Sequence, residues 1–315
     1  RSMEEISAAL GLPALGVVPS MSRREGTAIR GKKAYLDSRS IWAETYRTMR
    51  TAVLFSDTKA KSRTILVTSP EAGDGKTTVV SNLAIAMAQA GQKTLVLEAD
   101  FRKPMQNKIF GVNHNNKGLS SVLAGADELE EVIKSTCVSG LDILTCGPEV
   151  SNPSETLYSA NFAKVMKLLA KQYDRIIVDS PPVLPVTDAQ ILASICQITI
   201  LVLRAEKSTR KASQQAHNAL VRVGARVLGV VVNDAPKNGR YGYYGGDGYY
   251  NDTNGVGSRK NKRKIGYQKP AVVVEKSEHP AHSDNSGSQR IVEITSCKKK
   301  AVTRHKEPAE AYDST

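Results

Sequence analysis

The chain has 315 residues, of which 40% are hydrophobic, 5% aromatic and 24% charged, with a net charge of +13 at pH 7. That length suits one large or two small domains with room for a core, and no apolar run approaches the ~18 residues needed to span a bilayer. The four cysteines (Cys137, Cys146, Cys196 and Cys297) are scattered without a C-x-x-C pair, which argues against a zinc site and for a reducing compartment.

The positive charge is compatible with nucleic acid, an anionic membrane face or acidic partners. It is uneven: residues 259–315 hold 13 Lys/Arg against 7 Asp/Glu, so the tail carries +6 of the +13. No signal-peptide pattern is present, and the chain opens on Arg1 rather than Met, as a fragment of something longer would.

In chain order, Met3, Ile6 and Leu10 mark a short helix that ends at Gly11. Residues 12–19 read as an extended apolar segment bounded by Pro13 and Pro19, and residues 20–37, polar and basic, read as a linker. A helix is expected over residues 38–55, because Trp42, Tyr46, Met49 and Val53 fall on one face at 100° per residue. Glu44, Arg47 and Arg50 lie off that face. Spacing alone leaves them as a solvated surface with a weak Glu44–Arg47 pair, or as a contact for a partner.

Residues 64–67 form an apolar run, and residues 79–88 have a helical pattern. Between them lies Ser69-Pro70-Glu71-Ala72-Gly73-Asp74-Gly75-Lys76-Thr77-Thr78. Strand, glycine-rich turn and Gly-Lys-Thr at a helix start make the context of a phosphate-binding loop. Gly73, Asp74, Gly75, Lys76, Thr77 and Thr78 are the candidate nucleotide-binding residues. Glycines let backbone N–H groups approach phosphates, and the helix N-terminus adds positive potential. Lys76 would bridge the β- and γ-phosphates, and Thr77 would hold Mg²⁺. Pro70 stands where the strict pattern has Gly.

The run over residues 94–97 ends in Glu98 and Asp100, which alternation along a strand puts on one face at its C-terminal end. Ligands of parallel α/β sheets bind beyond that end, where two acids suit a metal ligand plus a general base. Short helices are expected at residues 118–125 and 128–134, a strand at 141–144, a loop at 147–153 and a helix over 154–170. Residues 175–178 are another buried strand, ending in Asp179, the place of the second Mg²⁺-directed acid in phosphate-loop enzymes. Asp188 reads as a helix N-cap. Continuous apolar runs at 198–203 and 227–232, joined by a helix over 209–223, complete a parallel sheet covered on both faces. Asn233, directly after the last run, is placed to contact a base.

Beyond Asp234 the globular pattern stops. Tyr241, Tyr243, Tyr244, Tyr249 and Tyr250 fall within ten residues among glycines, and with Tyr267 they make 6 of the chain's 11 tyrosines. Residues 236–267 read as an exposed Gly/Tyr-rich segment and 268–315 as a basic disordered tail. The fold class expected is a doubly wound, mostly parallel α/β sheet of the phosphate-loop NTPase type over residues 35–235.

Together these residues resemble the bacterial tyrosine kinases, cytoplasmic autokinases attached to polysaccharide co-polymerases. The resemblance runs from about residue 4 to 250. It is carried by residues 69–78, 95–102 and 176–182, by the E-x-x-R-x-x-R element Glu44, Arg47 and Arg50, and by the tyrosine cluster. It implies Mg·ATP as cofactor and Lys76, Glu98, Asp100 and Asp179 as catalytic residues, with Thr77, Asp100 and Asp179 at the metal. Tyr241, Tyr243, Tyr244, Tyr249 and Tyr250 would be phosphorylated in trans within a homo-oligomeric ring joined through Glu44, Arg47 and Arg50. It further implies a link, residues 1–34, from a transmembrane co-polymerase activator upstream, and a cognate tyrosine phosphatase. It places the chain on the cytoplasmic side of the cell membrane, serving capsule or exopolysaccharide synthesis, with no specific nucleic acid. Glu98 departs from the usual Asp at its position. The alternative is a partition or site-placing ATPase of the same fold. Those proteins carry a lysine where this chain has Glu71.

Overall fold

Runs of Val, Ile and Leu that are covered on both faces become the interior strands of one parallel sheet. The computed structural model describes residues 3–22, 24–56, 62–112 and 117–236. Its strands are β1 (Ala14–Pro19), β2 (Thr64–Thr68), β3 (Thr94–Glu98), β4 (Lys134–Ser135), β5 (Leu141–Leu144), β6 (Arg175–Asp179), β7 (Ile198–Arg204) and β8 (Val227–Ala235). They lie in the order β1-β8-β7-β2-β6-β3-β5-β4, and every neighbouring pair is parallel except β4–β5.

The helices are α1 (Met3–Leu10), α2 (Thr27–Gly31), α3 (Lys33–Leu36), α4 (Ile41–Ser56), α5 (Lys76–Ala88), α6 (Gln106–Phe110), α7 (Leu119–Leu123), α8 (Leu129–Val132), α9 (Pro153–Tyr158), α10 (Ala160–Gln172), α11 (Asp188–Ile195) and α12 (Arg210–Arg222). One core layer joins Tyr46 and Met49 of α4, Leu83 and Ile85 of α5 and Ile109 of α6 to one face of the sheet. The other joins Leu10 of α1, Phe162 of α10, Leu192 of α11 and Leu220 of α12 to the opposite face. This is the doubly wound arrangement the apolar runs predict. It brings the C-terminal ends of β2, β3, β6, β7 and β8 to one edge.

Four local expectations are corrected. Residues 1–34 are not a linker outside the domain. β1 pairs with β8, the Val230 N–H donates to the Pro13 carbonyl at 2.9 Å, and Val18 is fully buried. The polar stretch expected as linker forms α2 and α3. They are held to α5 by Asn82, whose Oδ1 accepts from the Ala34 N–H and whose Nδ2 donates to the Arg30 carbonyl. The single helix expected over 154–170 is two, because Ser159 leaves helical geometry and its Oγ caps α10 at the Phe162 N–H. Ala43 joins the buried face of α4, while Trp42 is half-buried and donates through Nε1 to the Pro19 carbonyl. Sequence periodicity misses all four because they depend on tertiary partners. Residues 237–315, with the tyrosine cluster and the basic tail, lie outside the described residues.

Candidate active site

The chain leaves β2 at Thr68 and turns at Gly73 (φ 84°) and Gly75 (φ 93°) before entering α5 at Lys76. Both glycines have left-handed backbone that a side chain would strain. At Gly75 space matters as well: a Cβ there would stand 1.9 Å from Asn233 Nδ2. The loop is tied down from several directions. The Val183 and Leu184 N–H groups donate to the Ser69 and Pro70 carbonyls, Asn233 Nδ2 to the Asp74 carbonyl, Arg204 to the Gly73 carbonyl and Lys207 to the Ala72 carbonyl. Asp74 accepts the Glu71 N–H and lies 3.7 Å from Lys207. A loop clasped in this way is preorganised, with little conformational entropy left to lose when it closes on an anion.

Lys76 Nζ lies 3.6 Å from Asp100 Oδ2. Asp100 Oδ1 accepts the N–H groups of Arg102 and Lys103, which leaves Oδ2 turned toward the lysine. Thr77 Oγ1 donates to Asp179 Oδ1 at 3.4 Å, and Gln106 Nε2 donates to Asp179 Oδ2 at 2.9 Å. Burial pushes the Asp179 carboxyl up to about 7, a rise that the neighbouring charges of Asp100 and Glu98 reinforce and that Lys76 and Gln106 oppose. Lys76, Thr77, Asp100 and Asp179 are therefore gathered at one point.

Glu98 is placed differently. It is fully buried, and its Oε1 accepts the N–H groups of Met105 and Gln106 at the start of α6, while Oε2 accepts the Cys146 N–H. Burial raises its pKa and these amides oppose the rise. Glu98 and Asp100 thus diverge: the first closes backbone, and the second faces the lysine. Asn233, expected at a base, has its amide nitrogen committed to the phosphate loop. Asp188 is not the helix cap expected of it; Thr187 takes that position, and Asp188 is the first residue of α11, fully buried. Of the interface residues, Arg47 pairs with Glu44 at 2.9 Å on the exposed side of α4. Arg50 is turned inward, donating to the Ala86 carbonyl in the last turn of α5.

The residues fit a nucleotide with Mg²⁺. The loop offers backbone and an ammonium at a helix N-terminus, and Thr77 with Asp179 offers hard oxygens. Gln106 Oε1, beside them, is buried and accepts no hydrogen bond among the described residues, which leaves one more oxygen open at this point of the site. A separate cavity of about 680 Å³ lies between α1 and the residues after β7. Lys76, Asp100 and Asp179 do not line it.

The family model described as an AAA domain matches residues 62–226. The putative tyrosine-protein kinase CapB of Staphylococcus aureus is 39% identical over 211 residues, covering 66% of this chain and 92% of that protein. Tyrosine-protein kinase YwqD of Bacillus subtilis is 37% identical over 218 residues, covering 67% and 90%. The chain belongs to the bacterial tyrosine-protein kinases. Its structure agrees: the kinase domain of Escherichia coli tyrosine kinase ETK matches with a TM-score of 0.69 at 28% identity, covering 77% of this chain and 98% of that one.

Several residues that shape this tyrosine kinase's site carry no obvious mark in its sequence. Arg204 follows the apolar run of β7 and could have been found by the strand-end logic that found Asp179. Gln106 and Lys207 had no such signal, since each acts across the fold. Arg102 and Asp188 are 86 residues apart, yet Arg102 Nε and Nη2 meet the two Asp188 oxygens at 2.8 and 3.1 Å.

Proposed function

We propose that the chain uses Mg·ATP to phosphorylate Tyr241, Tyr243, Tyr244, Tyr249 and Tyr250 on a neighbouring copy. The bound nucleotide supplies the γ-phosphoryl group, and its metal screens the charge that develops there. The observation that carries the proposal is the meeting of Lys76, Thr77, Asp100 and Asp179 at the start of α5.

Gly73, Asp74, Gly75 and Thr78 present loop backbone to the phosphates, and Lys76 neutralises their outer oxygens. Thr77 and Asp179 would hold Mg²⁺ through oxygen. Asp100 Oδ2 receives the acceptor proton. Tyrosine has an ordinary pKa near ~10, so a carboxylate that accepts its proton as the bond forms is useful at neutral pH. The facing of Asp100 Oδ2 to Lys76 supports this role for Asp100 better than for Glu98, whose oxygens accept three backbone N–H groups.

The same reading extends to assembly. A tethered segment meets a neighbour's site at high effective concentration, and the exposed Glu44–Arg47 face of α4 is the contact proposed to hold copies together, in a ring. The transmembrane activator upstream, the phosphatase, the membrane location and the role in capsule or exopolysaccharide synthesis belong to this proposal. The named relatives and the E-x-x-R-x-x-R resemblance support it. No helix among the described residues is long and apolar enough to cross a membrane.

Incubation with labelled ATP and mapping of the labelled residues tests the proposal. Label should appear on the 241–250 tyrosines. Lys76→Met should lose it by at least about 100-fold while keeping native circular dichroism. Label confined to tyrosines outside 241–250, or undiminished labelling by Lys76→Met, would overturn it.

A further inference from the structure

Asp188 lies outside the three nucleotide motifs, yet it is a fully buried carboxylate that one of its partners, Arg102, ties to the site. Its oxygens take a two-pronged ion pair from Arg102 and a hydrogen bond from Ser154 Oγ at the start of α9. Ser154 Oγ accepts in turn from Thr187. Arg102 belongs to the turn that holds Asp100, and its own N–H donates to Asp100 Oδ1. Arg102 thus has its backbone on the reacting carboxylate and its side chain on Asp188 of α11, which Ser154 in turn ties to α9. A guanidinium fork on a carboxylate fixes direction as well as distance, which a lysine in the same place would not.

We infer that Asp188, supported by Ser154, is a positioning residue that aims Asp100 Oδ2 through the Arg102 turn. Ser154 of α9 and Asp188 of α11 thus act through one arginine on the turn that gives two N–H groups to Asp100 Oδ1. The turn follows β3 with no helix until α6 at Gln106; besides this link it is held by the buried Phe101 and by the Met105 N–H on Glu98 Oε1. Partners that orient a working group are commonly worth about 10–100-fold in activity when removed. The inference rests on Asp100 being the proton acceptor.

The test compares Asp188→Asn, Arg102→Ala and the double variant Asp188→Asn/Arg102→Ala for tyrosine phosphorylation and, separately, for Mg·ADP binding by calorimetry. Asp188→Asn should lower kcat about 10–100-fold with little change in Mg·ADP affinity. The double variant should be no worse than the poorer single one, because both break the same link. If Asp188→Asn does not fold, Arg102→Lys keeps a cation beside Asp188 without the fork and should show the same kcat-selective loss. Unchanged kcat, parallel losses of binding and rate, or additive losses would overturn the inference. Asp100→Asn separates it from the larger reading. Full activity there would remove Asp100 from the chemistry, whereas an inactive Asp100→Asn beside a fully active Asp188→Asn would sink the positioning role alone.

Discussion

Asp179 sits between opposing forces, with burial lifting its pKa to about 7 from an ordinary 3.8 while Lys76 and Gln106 favour the charged form. Between those two values the folded chain keeps a proton that the unfolded chain has released. Stability of the metal-free protein should therefore fall as pH rises through that window and level off above it. Asp179→Asn should flatten the slope, and saturating Mg·ADP should flatten it too by giving the carboxylate a cation; urea unfolding at several pH values measures both. Glu98 provides the contrast. Its three amide hydrogen bonds point to support of α6 and of the backbone at Cys146. Glu98→Gln turns one acceptor into a donor facing N–H groups. It should cost about 1–3 kcal/mol of stability and reduce nucleotide binding and phosphorylation together. A loss of phosphorylation alone, with binding and stability intact, would restore Glu98 to the chemistry.

Helix α4 carries two jobs on two faces. Tyr46 and Met49 are fully buried against the sheet, while Glu44 and Arg47 form an exposed pair. Such pairs contribute little to folding, so Arg47→Ala should change stability by less than about 1 kcal/mol. If copies associate through this face, the same change should lower the mass measured by light scattering. Arg50 differs, because its guanidinium meets the Ala86 carbonyl in the last turn of the helix that begins at the phosphate loop. A cation at a helix C-terminus satisfies a free carbonyl and complements the helix dipole. Arg50→Ala should therefore cost about 0.5–1.5 kcal/mol in urea unfolding even where no association occurs. Unchanged stability in Arg50→Ala would return it to the exposed face with its two companions.

At the scale of the whole molecule, β1 makes the N-terminal segment part of the sheet. Leu15 and Val18 bury nearly all their surface there, and Gly229 passes so close that a Cβ would stand 2.5 Å from the Pro13 carbonyl. Removing residues 1–34, the cut a sequence boundary at 35 invites, would strip β8 of its outer partner and leave it paired with β7 alone. An uncovered, apolar strand edge is a template for aggregation. The truncated protein should lose at least about 3–6 kcal/mol from those two side chains alone, seen as a lower melting temperature and larger particles in light scattering. A truncated chain that melts like the full one and stays dispersed would show that β1 is dispensable.

The sequence by itself determined the inner strands of the sheet, the phosphate loop and the ends of β3 and β6. Apolar runs, glycine turns and acids at strand ends are local patterns with few alternative structures. Lys76, Thr77, Asp100 and Asp179 could be named from them because a parallel sheet sends all its C-terminal ends to one edge. Tertiary structure decided what each polar group does once there. Glu98 and Asp100 look alike along a strand, yet one meets the amides at the start of α6 and the other meets Lys76. Asp188 looks like a helix cap until Arg102, 86 residues away, supplies its partner. Residues 20–37 look like a linker until Asn82 of α5 satisfies their backbone. A carboxylate's role is set by the donors within about 3 Å of it, and those donors come from parts of the chain that only the fold brings together.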